Sequence, residues 1–280
     1  MGHGDDAGWD LYAARPLTDG GLRVSKLSSV PQETRVRWLN SMDAVSHGAQ
    51  DRWLLVERSH RIFTSEVQNL REEPSITGPR VARRVNDVVG ATFDWLGSMR
   101  MYVDQLAHMI GNNNPELLGE FRRKCSEQYD SRFGYRFCWR LRNYAQHLSI
   151  PIHTVAYGSG GWSIFVSPQV LLERYDGWST LRDEMAAMDG DIDVVQQVNE
   201  AMYGLTEIAR WRTIEQAPSL RTALQDAEAL RDHFRREYDM HFPVYARCDP
   251  PVVGSMMSLT PINLWEIDTV RERLADLDPM

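Results

Sequence analysis

Between Val81 and Ile110 the residues Val81, Val85, Val88, Thr92, Leu96, Met99, Val103, Leu106 and Ile110 recur in alternating steps of three and four. That is the period of one face of an α-helix, held for about eight turns, and it cannot be a strand pattern, because strand side chains alternate with period two. The chain is therefore expected to form around a long core helix. Phe93, Trp95, Met101 and Met109 widen the stripe beyond the narrow seam of a two-stranded coiled coil, which predicts a helix of an intramolecular bundle. The run Gly111-Asn112-Asn113-Asn114-Pro115 supplies the stop, with glycine and asparagine suited to left-handed caps and a proline that opens a new helix.

Other segments read less sharply. Residues 1–45 lack sustained periodicity and predict an irregular N-terminal arm. From about Gln50 to Glu72, Leu55, Ile62, Val67 and Leu70 predict a helix ended by Pro74 and Pro79. A helix is expected from Pro115 to about Tyr129, a break near Asp130-Ser131 or Gly134, and a helix to Leu148. The period then changes to two from Ile152, with a Gly-Ser-Gly-Gly turn before Trp162, Ile164 and Val166, which predicts a β-hairpin over about residues 152–167. Ser167 and Pro168 open a short helix, and Trp178 to Met188 supplies another. Helices from Ile192 to Ile214 and from Ser219 to Met240 are separated by a hinge at Ala217-Pro218, and a strand near Val244 precedes a last helix ending at Leu274. The expected class is mainly α, a helical bundle with one appended hairpin, arranged as the arm and a single domain over 46–280.

Composition removes several function classes. No run approaches the 18 apolar residues of a membrane span, and the N-terminus resembles no signal peptide, so a cytoplasmic protein without membrane contact is expected. Cys125, Cys138 and Cys248 are odd in number, without CxxC spacing, and read as small buried hydrophobes. The eight histidines form no HxxxH, HExxH or HxH, so no metal site and no cofactor are expected. Gly158-Ser159-Gly160 lies in a hairpin turn, without the strand-to-helix setting of a nucleophile elbow or the Lys-Ser/Thr of a phosphate loop. Net charge is −8, against indiscriminate binding of nucleic acid. Locally the sign reverses. From Phe121 to His147, seven basic residues (Arg122, Arg123, Lys124, Arg132, Arg136, Arg140, Arg142) face two acidic ones, Glu127 and Asp130.

That segment ends in Arg132 to Leu148, RFGYRFCWRLRNYAQHL. Phe133, Phe137, Leu141, Tyr144 and Leu148 form a core stripe, and Arg132, Arg136, Arg140, Asn143 and His147 form a second. The pattern Arg142-Asn143-x-x-x-His147 resembles the R-x4–6-H motif of the HEPN superfamily, helical and commonly dimeric proteins, many of them metal-independent endoribonucleases of toxin–antitoxin and phage-defence systems. The motif is six residues long, and its helical setting spans about Gln50 to Met240. Ser149 stands where some members carry a tyrosine, and a hairpin follows where a plain bundle would continue as helix.

The resemblance implies RNA as substrate, a homodimer with the site at its two-fold interface, and an antitoxin or defence-complex partner. It names Arg142, Asn143 and His147 as catalytic. Chemistry gives them roles: metal-free cleavage needs a base for the 2′-hydroxyl proton, which imidazole supplies near neutral pH, and a fixed cation for charge growing on the phosphate. Asn143 would orient the imidazole or bond a phosphate oxygen. Arg132, Arg136, Arg140, Arg122, Arg123 and Lys124 would track the RNA backbone, and Tyr135, Trp139 and Tyr144 are candidate base-stacking rings. Two other readings stand beside this one: a non-catalytic RNA- or nucleotide-binding module, and a helical subunit whose basic face meets an acidic protein. In the first, the arginine stripe holds phosphate and His147 is structural. Against all of them stands a plain structural reading, in which His147 caps carbonyls at the helix C-terminus and Arg132, Arg136 and Arg140 pair with carboxylates of a neighbouring helix.

Overall fold

A computed structural model describes residues 9–18, 20–26, 31–49, 52–73, 78–148, 154–158, 161–238, 243–247, 258–261 and 263–277. The elements are β1 (Trp9–Pro16), β2 (Leu22–Lys26), α1 (Gln32–Ala49), α2 (Trp53–Arg71), α3 (Pro79–Asn113), α4 (Pro115–Ser131), α5 (Phe133–His147), β3 (Thr154–Gly158), β4 (Gly161–Val166), α6 (Pro168–Arg174), α7 (Leu181–Ala186), β5 (Ile192–Asp193), α8 (Val194–Tyr238), β6 (Pro243–Arg247), β7 (Ser258–Pro261) and α9 (Glu266–Ala275). The protein is mainly α with a small hairpin, as expected, and none of the described helices is long and apolar enough to cross a membrane. Contacts divide it into two compact units, residues 1–51 with 213–280, and residues 52–212. The expected irregular arm over 1–45 is corrected, since it holds β1, β2 and most of α1.

In the unit of residues 52–212, α3 is the axis. Every residue of its predicted stripe is buried except Val85, which is half-buried, and Trp95 joins them with no exposed surface. Each fully buried large side chain contributes roughly 1.5–3 kcal/mol of transfer free energy. Phe93 and Met109, expected to widen the stripe, are exposed instead. Pro79 occupies the first helical position after Gly78, whose φ of 102° favours glycine. The stop at Asn114 uses an extended asparagine, φ −152°, whose Oδ1 accepts the Leu117 N–H at 3.2 Å and so caps α4. No left-handed asparagine is needed, and Gly111 lies inside α3.

α2 packs on α3 through Trp53, Val56, Phe63, Val67 and Leu70, while Leu55 and Ile62, predicted for its core face, point outward. In the hairpin, Gly158 pairs with Gly161, and Trp162, Ile164 and Val166 face the core. Ser159, Gly160, Ile152 and His153 lie outside the described residues. A third strand, β5, pairs antiparallel with β4 where the sequence predicted only helix. Ser167 precedes α6 as expected, but its hydroxyl donates to Gln169 Oε1 instead of capping the backbone.

The unit of residues 1–51 with 213–280 has its own core: Trp38, Met42 and Val45 of α1, Ala217 to Phe234 on one stripe of α8, and Ile267, Val270 and Leu274 of α9. Its antiparallel sheet has the order β2-β1-β6-β7. The hinge expected at Ala217-Pro218 is absent, since α8 runs unbroken with Pro218 inside it. Of the cysteines, Cys138 is buried and Cys125 half-buried, both as free thiols, and burial pushes the Cys125 thiol up to about 12. Cys248 lies outside the described residues.

α5 meets α8 at two glycines. A Cβ on Gly134 would lie 2.7 Å from the Gln197 carbonyl oxygen, and one on Gly204 would lie 2.9 Å from Tyr135 Cδ2. Backbone cannot yield as a flexible side chain does, so Gly134→Ala is expected to destabilise the protein by about 1–3 kcal/mol. A thermal melt unchanged from wild type would refute this close crossing.

Candidate functional site

α5 is held at its N-terminal end by charge. The chain breaks at Arg132, which is extended at φ −127° and ψ 115°, and this frees the last carbonyls of α4 and the first N–H groups of α5. Arg136 closes the first gap: one guanidinium nitrogen donates to the Tyr129 and Asp130 carbonyls at 2.9 and 2.8 Å, the other to Glu184 Oε2 at 2.8 Å. Glu200 closes the second, its Oε2 accepting the Gly134 N–H at 2.9 Å. Neither acidic residue carries a sequence signal, because they lie 48 and 66 positions from their partners.

The expected phosphate-tracking stripe is thus largely occupied. Arg132 donates to Gln128 Oε1 at 2.9 Å and lies over the Tyr203 ring at 4.3 Å. Arg140 donates to the Tyr129 hydroxyl at 3.3 Å. On α4, Arg123 pairs with Glu127 and Glu120, Lys124 pairs with Glu127, and Arg122 is exposed. The stacking rings are occupied as well. Tyr135 and Tyr144 are buried, Tyr144 edge-on to Tyr175, and half-buried Trp139 stacks on Tyr135 beneath the Arg100 guanidinium at 4.0 Å.

The last turn of α5 differs. Half-buried Arg142 donates through Nη1 to Gln146 Oε1 and lies 3.5 Å from Asn143 Oδ1, while its Nε is buried without a partner. No carboxylate of the described residues pairs with it. His147 is exposed at the end of the helix and forms no hydrogen bond with a described residue, so the carbonyl-capping role open to it from sequence is not seen there. Leu148, expected on the core stripe, is exposed. Arg142, Asn143, Gln146 and His147 are the polar residues at the C-terminal end of α5, with Asn143 and His147 one turn apart on one face.

No family model, curated protein or solved structure matches this chain. Among the described residues no three His, Cys, Asp or Glu side chains come together as a metal site.

His60 of α2 is the histidine with the most distinctive surroundings, and sequence reading passed over it. Its Nε2 meets Asn199 Oδ1 at 3.1 Å, and its ring lies 6.2 Å from that of Trp95. Burial holds its pKa below the ordinary 6.5, and the Asn199 bond opposes this in part. The folded state then binds a proton less readily than the unfolded chain. Its contribution to stability is present above pH 6.5 and is lost as pH falls through the folded value.

Two expectations follow. Below pH 6.5, His60→Gln should flatten the pH dependence of the urea midpoint, and an unchanged slope would exclude His60 as its source. Arg136→Ala should lower stability by about 1–3 kcal/mol, because it removes two charge-assisted hydrogen bonds to carbonyls and an ion pair with the exposed Glu184, in place of the salt-dependent loss of RNA binding expected of a phosphate contact. A normal melt with weakened binding would restore that role.

Proposed function

We propose that the protein is a metal-independent endoribonuclease of the kind found in toxin–antitoxin or phage-defence systems, cleaving RNA by attack of its 2′-hydroxyl. The observation that supports this reading is Arg142, a permanent cation at the C-terminal end of α5, where His147 is exposed, held by neutral amides and by no described carboxylate. A guanidinium already neutralised, like Arg136, has little to offer a phosphate. One with only neutral acceptors exchanges weaker bonds for a charge-assisted, bidentate pair.

In this reading His147 takes the 2′-hydroxyl proton, Arg142 stabilises charge on the phosphate oxygens during in-line attack, and Asn143 orients the imidazole or bonds a phosphate oxygen. Backbone contacts beyond the reacting phosphate fall to the cations without a described carboxylate partner, Arg122, Arg132 and Arg140, in place of the whole stripe. The resemblance to HEPN proteins adds a homodimer with RNA as substrate and a protein that restrains or activates it.

His147→Ala should lower cleavage of total RNA by about 10²- to 10⁴-fold, the usual worth of a general base. Its thermal melt should stay close to wild type, as for exposed residues away from packing sites. Arg142→Ala should be comparably inactive, and cleavage should survive EDTA. Equal cleavage by wild type and His147→Ala would overturn the proposal, and so would loss of activity in EDTA.

A further inference from the structure

Among the described residues, the Arg142 guanidinium is held at one nitrogen. Its hydrogen bonds run through Nη1, to Gln146 Oε1 and, at 3.5 Å, to Asn143 Oδ1, and its Nε is buried without a partner. Nη2 has no described partner. Gln146 lies four residues on, where side chains on a helix surface meet, and it is exposed. Asn143 follows Arg142 directly and reaches it only at the outer limit of a hydrogen bond, so Gln146 is the anchor.

The same spacing elsewhere in this unit carries a carboxylate. Arg123 of α4 pairs with Glu127 and Arg100 of α3 with Asp104, each four residues on, and each cation is thereby neutralised. Glutamate and glutamine have the same length and shape, and either reaches across one turn to an arginine. They differ in what they leave. An amide oxygen accepts the N–H and adds no charge, so the cation keeps its pull on an incoming anion; a carboxylate occupies it first, with a bond about twice as strong. Helix stability gives no reason to prefer the amide, since ion pairs at this spacing stabilise a helix by comparable amounts.

We infer that Gln146 is a positioning residue of the cleavage site: it orients the Arg142 guanidinium through Nη1 and leaves its charge free for an RNA phosphate. This role rests on the cleavage reading and is exerted through Arg142, not on the substrate. Exchanging the Gln146 amide for a carboxylate then silences the site while the fold stays intact.

The test is a double-mutant cycle in the full chain. It is read by cleavage of a single-stranded RNA, by anisotropy titration of the same strand 2′-O-methylated so that it cannot be cut, and by thermal melts. Gln146→Glu should weaken binding of the methylated strand about tenfold and reduce the steepness of log affinity against log salt by about 0.7, the loss of one phosphate contact to a single strand. Arg142→Ala should do the same, and the double variant R142A/Q146E should bind no more weakly than R142A. Gln146→Ala, which removes the anchor and adds no charge, should bind within a few-fold of wild type and lose about tenfold in kcat. Both Gln146 variants should melt near wild type, since the residue is exposed. Wild-type binding by Q146E overturns the inference alone, as does an unchanged kcat in Q146A or a collapsed melt in either. Equal losses from Q146E with and without Arg142 mark plain charge repulsion and overturn it too. A wild type that does not cleave RNA, or an R142A variant that binds and cleaves as wild type does, overturns the cleavage reading and this role with it.

Discussion

The break at Arg132 is the constraint on which the site-bearing unit depends. Interrupting a helix leaves the last carbonyls of one segment and the first N–H groups of the next without intrahelical partners. Arg136 supplies donors to the Tyr129 and Asp130 carbonyls, and Glu200 supplies an acceptor to the Gly134 N–H. With the ends satisfied, α5 turns Phe137 and Tyr144 against Trp178, with ring centroids 5.9 Å apart in each case. Gly134 and Gly204 let α8 approach closely enough for Glu200 to reach. A helix that looks from its sequence like a display of arginines is first an element pinned by charge at its own start.

What was legible in the sequence was whatever one element's period determines. α3 followed its three-and-four pattern almost residue by residue, since one stripe of a long helix admits a single buried face. α2 did not, because its 19 residues carry two apolar sets. Leu55 and Ile62 are spaced as well as Val56, Phe63 and Val67, and only the partner helix decides between them. β1 and β6 paired unseen, because more than two hundred residues separate them and no short turn joins them. Glu184 and Glu200 were invisible for the same reason: a polar contact between distant positions leaves no periodic trace.

Pro218 shows a local rule overridden by packing. Proline removes one helical donor and crowds the preceding turn, which costs about 3 kcal/mol in isolation. In α8, Ala217, Leu220, Ala223 and Ala227 are buried on one stripe across it, so the helix continues. Ile214, whose carbonyl loses its usual donor at Pro218, is itself exposed. The Ser219 and Thr222 hydroxyls donate back to the Gln216 and Pro218 carbonyls on that same stretch.

The motif was legible as residue types and spacing, but its chemistry depends on compensation, which spacing does not encode. Arg136 and Arg142 differ little in sequence context and greatly in surroundings. One is spent on two carbonyls and a carboxylate; the other sits against Asn143 and Gln146 amides near the C-terminal end of α5. That end carries roughly half a negative charge from the helix dipole, which steadies a cation without any carboxylate. A phosphate approaching Arg142 therefore competes with neutral acceptors whose net worth is about 0.5–1.5 kcal/mol each, whereas at Arg136 it would have to displace a charged partner and expose two carbonyls. Among the arginines whose described partners are neutral, Arg142 is thus the one that shares the C-terminal end of α5 with His147.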